Sequence, residues 1–280
     1  MTVDIICPLY KAEKYIANLN KSLLMQKDVK INKITYAITV TNDKTLDYLK
    51  ENNCDYVLVD KKDFSHSLTR SSIGLKSNAD IICFVTQDVV IEDEYWLKKL
   101  VNPIINNEVA ATYSRQITKF NNIEKYTRES NYGDKSYIKS KEDISKFKIS
   151  TFFFSDAASA IKTSVYKELN AYDDKDLPTN EDMYFAYKLI MNDYKIKYCS
   201  DSIVYHSHNF TLKQLYTRYK LTGKFFKENS YLNVYKTNHT GLNLAKYILK
   251  RIIKEKRVDL LFRFPFDMAA RYIGMKVGMR

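Results

Sequence analysis

The sequence predicts an α/β fold in which helices cover both faces of a mostly parallel sheet. Between Val3 and Val85, short apolar segments alternate with segments whose apolar residues recur at helical spacing, a pattern typical of parallel strands joined by helices. Three of the apolar segments end at a proline or at polar residues, in Pro8-Leu9-Tyr10, Asn42-Asp43 and Gln87-Asp88. Because ligands bind beyond the carboxyl ends of parallel strands, we expect a nucleotide site at this edge of the sheet.

The individual elements follow from local patterns. Residues 80–85 are apolar and partly β-branched, which suits a strand buried on both faces. Residues 3–10 form a second such segment, which we expect to break at Pro8. Further strands are predicted at 34–40, 56–59, 109–113, 152–154, 195–199 and 202–205, and helices at 12–25, 46–52, 69–77, 96–106, 163–169, 180–190, 212–230 and 244–257.

Residues 118–148 are polar and charged, contain tyrosines, and show only weak periodicity. A long irregular insertion in a compact domain is usually functional, often a lid, or mobile. We therefore predict that this segment has no regular structure of its own.

The charge is concentrated at one end of the chain. Residues 1–210 contain 29 basic and 29 acidic residues, whereas residues 211–280 contain 16 basic and 4 acidic residues, which accounts for the whole net charge of +12. We therefore predict a catalytic domain at 1–210 and a helical basic region at 211–280 that faces an anionic surface or another subunit.

Within the basic region, residues 244–257 place Leu244, Ile248 and Ile252 on one helix face, with most of the lysines and arginines opposite. A basic amphipathic helix is typical of membrane-surface binding, although a packed helix with a solvated face gives the same pattern. Residues 260–266 are rich in phenylalanine and could enter the headgroup layer. The region lacks the interleaved aromatic and basic residues of a nucleic-acid platform, so no nucleic-acid partner is expected.

The four cysteines are scattered without metal-ligand spacing, and we expect reduced core residues in a cytosolic protein. No apolar run approaches the ~20 residues that cross a bilayer. Because the sequence starts with a strand-like segment, no signal peptide is expected.

Three polar sites need an explanation: Asp88, the pair Glu181 and Asp182, and the motif His206-Ser207-His208. Each has a purely structural alternative. Asp88 could cap the turn that follows it, the acidic pair suits the first turn of a helix, and the histidines could form hydrogen bonds at a strand end.

Together these sites resemble the family 2 inverting glycosyltransferases over residues 3–225. The resemblance lies in Pro8-Leu9-Tyr10, the segment 42–47, Gln87-Asp88 and Glu181-Asp182. A narrower resemblance, to bacterial rhamnosyltransferases, lies in four motifs: Phe64-x-His66-x-x-Thr69-Arg70, Thr86-Gln87-Asp88, Ser114-Arg115-Gln116 and Val204-x-His206-Ser207-His208.

The resemblance implies a Rossmann-like, A-type nucleotide-sugar-binding fold. It also implies transfer of L-rhamnose from dTDP-rhamnose to a lipid-linked acceptor of an O-antigen, capsule or cell-wall glycan. The enzyme would act at the cytoplasmic face of the membrane, where a homodimer is an option. Two alternatives stay open: the same fold with a UDP-hexose donor, and a non-catalytic protein that binds membranes or polyanions.

The resemblance also assigns roles to residues. Asp182 is the expected base, which Glu181 orients, and Asp88 with His206 or His208 is expected to hold Mg²⁺ or Mn²⁺. The expected donor contacts are Pro8, Tyr10, Asn42, His66, Arg70, Gln87 and Asp88, and the expected acceptor contacts are Arg115, Gln116 and Asp156.

Several of these residues have simpler alternatives. Tyr10 could only pack, His66 could be a loop hydrogen-bonder, and Arg70 could be a helix-surface charge rather than a planar fork for diphosphate. Arg115 and Gln116 could simply end a strand.

Four positions depart from the family pattern. Ser67 stands where the subgroup has glycine, Ser71 where it has asparagine, and Asn42 where it has aspartate. Gln87-Asp88 is half of the Asp-x-Asp metal motif, and a single carboxylate holds a divalent cation weakly without further ligands.

Overall fold

A computed structural model of the chain describes residues 1–206, 208–236 and 240–280. The chain divides into two compact units, each with its own internal packing. The first comprises Met1–Arg115, Asp134–Lys141 and Phe152–His206, and the second comprises Gln116–Gly133, Glu142–Thr151 and Ser207–Arg280.

Eight strands form one sheet in the order β3-β2-β1-β4-β7-β5-β8-β6. The first four in that order are parallel to one another, whereas β7 is antiparallel to both β4 and β5, and β6 is antiparallel to β8. The strands are β1 Thr2–Tyr10, β2 Lys30–Thr39, β3 Asp55–Val59, β4 Ile81–Val85, β5 Ala111–Ile117, β6 Tyr137–Lys139, β7 Ala158–Lys162 and β8 Ile196–Tyr205.

Helices flank this sheet in the first unit and make up most of the second, so the predicted α/β class is confirmed, with a mixed sheet in place of a mostly parallel one. The helices are α1 Ile16–Leu24, α2 Thr45–Glu51, α3 His66–Gly74, α4 Trp96–Ile105, α5 Ile123–Asn131, α6 Ile144–Phe147, α7 Thr163–Glu168, α8 Glu181–Met191, α9 Leu212–Glu228, α10 Thr240–Lys254 and α11 Val258–Gly278.

The core of the first unit lies around β1 and β4, whose apolar side chains are fully buried. Helix α4 packs against β8 and β7, and its Trp96, Leu97 and Leu100, which recur at helical spacing, belong to the same core. Burial on both faces explains why β1 and β4 are continuously apolar rather than alternating.

Four local predictions were wrong. Strand β1 does not break at Pro8 but pairs with β2 through Tyr10. The two strands predicted at 195–199 and 202–205 are one strand, β8. Residues 152–154 are not a strand, since Lys148–Phe152 is a 3₁₀ helix and the strand begins at Ala158. The segment 118–148 is not irregular, because it forms α5, β6 and α6.

In the second unit, the predicted basic amphipathic helix α10 packs against its neighbours. Its residues Ile248 and Ile252 form a small core with Ile123, Tyr126 and Leu260. The apolar face that predicted membrane contact is therefore covered within the unit. No helix within the described residues is long and apolar enough to cross a membrane.

All four cysteines are free, as expected; Cys7, Cys83 and Cys199 are buried and Cys54 is half-buried.

Candidate active site

Asp88 and His206 lie together at the edge of the sheet. Asp88 stands in the turn after β4, and His206 follows the last residue of β8. Two backbone hydrogen bonds join these segments: Val90 N donates to Tyr205 O at 2.8 Å, and Tyr205 N donates to Val90 O at 2.9 Å. The Nε2 atom of His206 consequently lies 3.5 Å from Oδ1 of Asp88.

This pair has the chemistry of a cation site. Each side chain offers one ligand atom to a metal ion, and Mn²⁺ accepts both carboxylate oxygen and imidazole nitrogen. His208 follows at the start of the second unit, where its ring lies 4.8 Å from that of Phe210 and its carbonyl accepts a bond from Asn122. Ser207 lies outside the described residues.

Gln87 joins two strand ends instead of pointing at a ligand. Its side-chain oxygen accepts a hydrogen bond from Tyr10 N at 2.7 Å, and its amide donates to Tyr10 O at 2.9 Å. The ring of Tyr10 is exposed, whereas Pro8 is buried inside β1 opposite Ala37. Of the donor contacts expected here, Tyr10 is therefore available for stacking, while Gln87 and Pro8 position the backbone.

After β2, Asp43 is held in place by hydrogen bonds, whereas Asn42, the donor contact that we predicted, is exposed. Asp43 accepts hydrogen bonds from the hydroxyls of Thr41 and Thr45 and from Glu13 N. Partial burial opposes these bonds, but together they lower the pKa of Asp43. Positions 42–43 were both expected at this edge of the sheet, but only Asn42 was named as a donor contact, although threonines two residues before and after Asp43 were a visible signal.

Arg70 is a buried counter-charge and not the exposed fork that we expected for a diphosphate. Its Nη1 donates to Oε1 of Glu181 at 2.8 Å and to the carbonyl of His66 at 3.0 Å. The side chain of Arg70, which belongs to α3, is almost completely buried. Burial opposes its charge, but the carboxylates of Glu181 and Asp156 raise the pKa of Arg70. His66 itself begins α3, with its ring 5.3 Å from Phe64.

Three carboxylates surround this one arginine. Glu181 and Asp156 are buried, whereas Asp182 is half-buried in the first turn of α8. Burial, followed by the neighbouring charges of Glu181 and Asp156, raises the pKa of Asp182 well above its ordinary value. Of the three carboxylates, Asp182 is the one that is partly exposed to solvent. Its raised pKa means that it binds a proton more tightly than an ordinary aspartate does.

Asp156 does not present a free carboxylate to an acceptor sugar as we expected. Its Oδ1 accepts from the Ser159 hydroxyl at 2.8 Å and its Oδ2 from the Tyr172 hydroxyl at 2.7 Å. Burial raises the pKa of Asp156, and Arg70 opposes this rise.

Ser67 explains one departure from the family pattern. Its hydroxyl donates to Lys175 O at 2.6 Å and accepts from Leu177 N at 2.8 Å. A glycine could make neither bond. Ser67 thus ties α3 to the loop that leads into α8, and so helps to position Asp182.

The two residues predicted to line the acceptor side, Arg115 and Gln116, belong to different compact units. Arg115 is half-buried at the end of the first unit. Gln116 belongs to the second unit, where it is buried and accepts a hydrogen bond from Arg128. The amide of Gln116 therefore holds a neighbouring side chain of its own unit.

Asp88 and Arg70 both influence one group, the thiol of Cys7 in β1. Burial raises the pKa of this thiol, with Arg70 lowering it and Asp88 raising it. Because such fields weaken with distance, Arg70 and Asp88 both lie within electrostatic range of Cys7.

A family model described as glycosyl transferase family 2 matches residues 4–169. The chain is a family 2 glycosyltransferase. This family 2 chain is 33% identical over 289 residues to the O-antigen chain rhamnosyltransferase RfbN of Salmonella typhimurium, covering 99% of this chain and 90% of RfbN. It is 31% identical over 232 residues to the O-antigen chain rhamnosyltransferase WbaN of Salmonella anatum, covering 79% and 71% of the two chains.

Solved glycosyltransferases share the fold. The mannosyltransferase PcManGT of Pyrobaculum calidifontis, solved with GDP-Man and Mn²⁺, matches with a TM-score of 0.61 at 12% identity, over 99% of this chain and 84% of that one. This confirms the A-type nucleotide-sugar-binding fold that the motifs implied. A non-catalytic binding protein, our alternative from a different class, is therefore excluded by family membership.

Proposed function

We propose that this glycosyltransferase transfers L-rhamnose from dTDP-rhamnose, with inversion, to a lipid-linked acceptor of a bacterial surface polysaccharide. The names of the two rhamnosyltransferase relatives support the sugar and the O-antigen class of product. The observation that carries the mechanism is the half-buried Asp182 beside the buried pair of Arg70 and Glu181.

In this proposal Asp182 removes the proton of the attacking acceptor hydroxyl. A general base works best when its pKa lies near the working pH. Burial, together with the charges of Glu181 and Asp156, raises the pKa of Asp182 toward that range. Glu181 cannot serve as well, because its carboxylate is buried and bonded to Arg70. It instead orients the first turn of α8 through that bond.

Asp88, His206 and His208 are the residues that would hold a divalent cation, Mn²⁺ or Mg²⁺. The support is the approach of Asp88 to His206 and the position of His208 two residues further along the chain. Such a cation supplies positive charge to the departing diphosphate. Tyr10 is the residue that we propose to stack on the base of the nucleotide, since its ring is exposed at the end of β1.

The acceptor and the place of action belong to the same proposal. A lipid-linked acceptor is presented at a membrane, so we place the enzyme at the inner face of the cell membrane, with the basic residues 211–280 toward the lipid. Residues 1–210 would carry the donor and the chemistry. Arg115, half-buried in β5, is the remaining candidate for contact with the acceptor.

A donor screen tests this proposal. The purified chain is incubated with a bacterial lipid extract that contains the glycan acceptor, with dTDP-rhamnose, UDP-glucose or GDP-mannose as donor, and with Mn²⁺, Mg²⁺ or a chelator. Glycosylated lipid and released nucleoside diphosphate are measured by mass spectrometry. We expect dTDP-rhamnose to be consumed fastest, and only with metal. The Asp182→Asn variant should lose at least 100-fold in turnover while dTDP-rhamnose still raises its unfolding temperature.

The matched control is Asp176→Asn, which alters an exposed carboxylate six residues earlier and should leave turnover unchanged. Preference for UDP-glucose would overturn the rhamnose assignment and leave the fold and base intact. Normal turnover by Asp182→Asn would overturn the base.

A further inference from the structure

Helix α11 presents an apolar stripe to solvent along four turns. Most of its members recur at helical spacing, which places them on one face of the helix. Their exposed fractions are large for apolar side chains. We define the α11 stripe as Val258 (62% exposed), Leu261 (43%), Phe262 (74%), Phe266 (61%), Tyr272 (65%) and Ile273 (52%).

The opposite face of α11 is committed to packing within the second unit, so the stripe cannot turn inward. Gly274 and Gly278 lie against the backbone of α9 near Tyr216 and Lys220. Buried Arg271 donates to the Tyr219 hydroxyl at 2.6 Å. The helix is thus fixed in rotation, with the α11 stripe outward.

Lysines line a groove beside the stripe. The groove lies between α9 and the last turns of α11, and Val277, at its edge, is one helical turn from Ile273. Its lining includes Lys220, Lys224, Lys227 and Glu228 from α9 and Val277 and Gly278 from α11. We define the lysine groove as the surface around Lys220, Lys224 and Lys227.

The acids of this region do not cancel its positive charge. Each of the four acids in residues 211–280 is bonded to a basic residue of the second unit. Glu228 pairs with Lys224, Glu255 with Lys125 and Arg251, Asp259 with Arg257, and Asp267 with Arg263. The other twelve basic residues of 211–280, nine lysines and three arginines, account for the excess of +12.

We propose that the α11 stripe enters the headgroup layer of an anionic bilayer while the lysine groove binds lipid phosphates. This rests on the proposed membrane location and deepens it by naming the surface that makes the contact. Exposed aromatic and aliphatic side chains beside lysines are what an interfacial helix needs. A second copy of the chain is a poorer occupant, because a two-fold contact would bring the same lysines face to face.

Vesicle co-sedimentation tests the surface. The full chain is mixed with neutral vesicles of phosphatidylcholine alone, or with anionic vesicles of phosphatidylcholine and phosphatidylglycerol in a two-to-one ratio, and the bound fraction is measured. We expect binding to the anionic vesicles at least tenfold tighter than to the neutral ones. Phe262→Ser with Phe266→Ser should weaken binding at least tenfold, and Lys220→Glu with Lys224→Glu should do the same.

Each variant has a matched control. Phe120→Ser removes another exposed phenylalanine of the second unit, and Lys61→Glu with Lys62→Glu reverses two exposed lysines of the first unit. Both controls should bind vesicles like the original chain. The dTDP-rhamnose effect on unfolding temperature, measured without lipid, should be unchanged in every variant, so that failure of this surface is separate from failure of the proposed reaction.

Three outcomes would overturn the proposal. The stripe variants could bind anionic vesicles normally. The groove variants could lose no more than the Lys61 and Lys62 control. Sedimentation equilibrium could show that the chain is a dimer that Phe262→Ser with Phe266→Ser makes monomeric, with no vesicle binding in either form, which would assign the stripe to a second copy.

Discussion

Arg70 shows how burial changes the meaning of a charged residue. In the sequence it is one cation on a helix, suited to an anionic ligand. In the structure its guanidinium pairs with Glu181, and Asp156 and Asp182 are also within its field. A buried charge of this kind is costly unless it is paired. We therefore regard Arg70 as a residue that positions and tunes the carboxylates, without itself touching the donor.

The pH dependence of turnover should reveal this role. Burial and then the charge of Glu181 raise the pKa of Asp182, whereas the charge of Arg70 lowers it. Loss of the Arg70 charge should therefore raise the pKa of the base, whereas loss of the Glu181 charge should lower it. In kcat/KM against pH, the acidic limb should move to higher pH in Arg70→Met and to lower pH in Glu181→Gln.

Two further variants make that measurement decisive. Arg70→Lys keeps the charge and should leave the acidic limb near its original position. The double variant Arg70→Met with Glu181→Gln removes the buried charges as a pair, which limits the several kcal/mol that an unpaired buried charge costs. A purely structural ion pair would shift both single-variant profiles in the same direction, or neither.

Residue types and strand ends could be predicted, but side-chain directions could not. The family resemblance predicted Asp88 and His206 as joint metal ligands, and the structure brings their side chains to 3.5 Å. Gln87 stands beside Asp88 but turns to the backbone of Tyr10. Asp156 was assigned to an acceptor, yet Ser159 and Tyr172 take up both of its oxygens. Such choices depend on contacts distant in sequence.

Among the helices, periodicity revealed which faces are apolar but not what covers them. The sequence predicted α10 as the membrane helix because its apolar residues lie mostly opposite its basic ones, and it offered residues 260–266 as a second segment that could enter the headgroup layer. The apolar face of α10 is buried against α5. The exposed apolar face belongs to α11, in which arginines and aspartates interrupt the pattern, and Arg263 and Asp267 pair with each other at 3.0 Å.

Helices α9 and α11 pack so closely at their glycines that replacing Gly274 with alanine should destabilise the contact. A Cβ on Gly274 would lie 2.5 Å from the carbonyl oxygen of Tyr216 and 3.1 Å from Cβ of Tyr219. Alanine favours an isolated helix by up to about 1 kcal/mol over glycine, but overpacking against backbone costs about 1–3 kcal/mol. We expect Gly274→Ala to lower the unfolding temperature by several degrees.

Gly241→Ala is the matched control in α10. Nothing lies within 4 Å of the Cβ that it would add, so the unfolding temperature should stay the same or rise slightly. Equal unfolding temperatures for Gly274→Ala and the original chain, by calorimetry, would show that α9 and α11 separate more easily than their packing indicates.

At the scale of the whole chain, the alternation of elements was enough to predict the parallel half of the sheet. The antiparallel half could not be predicted in the same way. Strand β7 enters between β4 and β5 although it begins only at Ala158, long after β4 ends at Val85. Short strands of this kind lack a local signal for their partners. The short strand β6 lies in a segment whose tyrosines and charges masked its regular structure.

The uneven charge of the chain predicts that its binding to anionic vesicles depends strongly on salt concentration. Residues 1–210 are neutral and residues 211–280 carry +12, so attraction to an anionic bilayer should come from the second unit and be long-ranged at low salt. The screening length is about 10 Å at 0.1 M salt and about 3 Å at 1 M. We expect binding to the anionic phosphatidylglycerol vesicles to fall at least tenfold between these salt concentrations.

The part that remains at the higher salt concentration should come from the apolar α11 stripe, because burial of apolar surface does not depend on charge. Phe262→Ser with Phe266→Ser should therefore abolish this residual binding, whereas Lys220→Glu with Lys224→Glu should leave it nearly intact. Co-sedimentation of the two variants across the salt series separates the contributions. If both variants lost the same fraction at every salt concentration, lysines and stripe would not be acting as the two separate contacts that their positions on α9 and α11 imply.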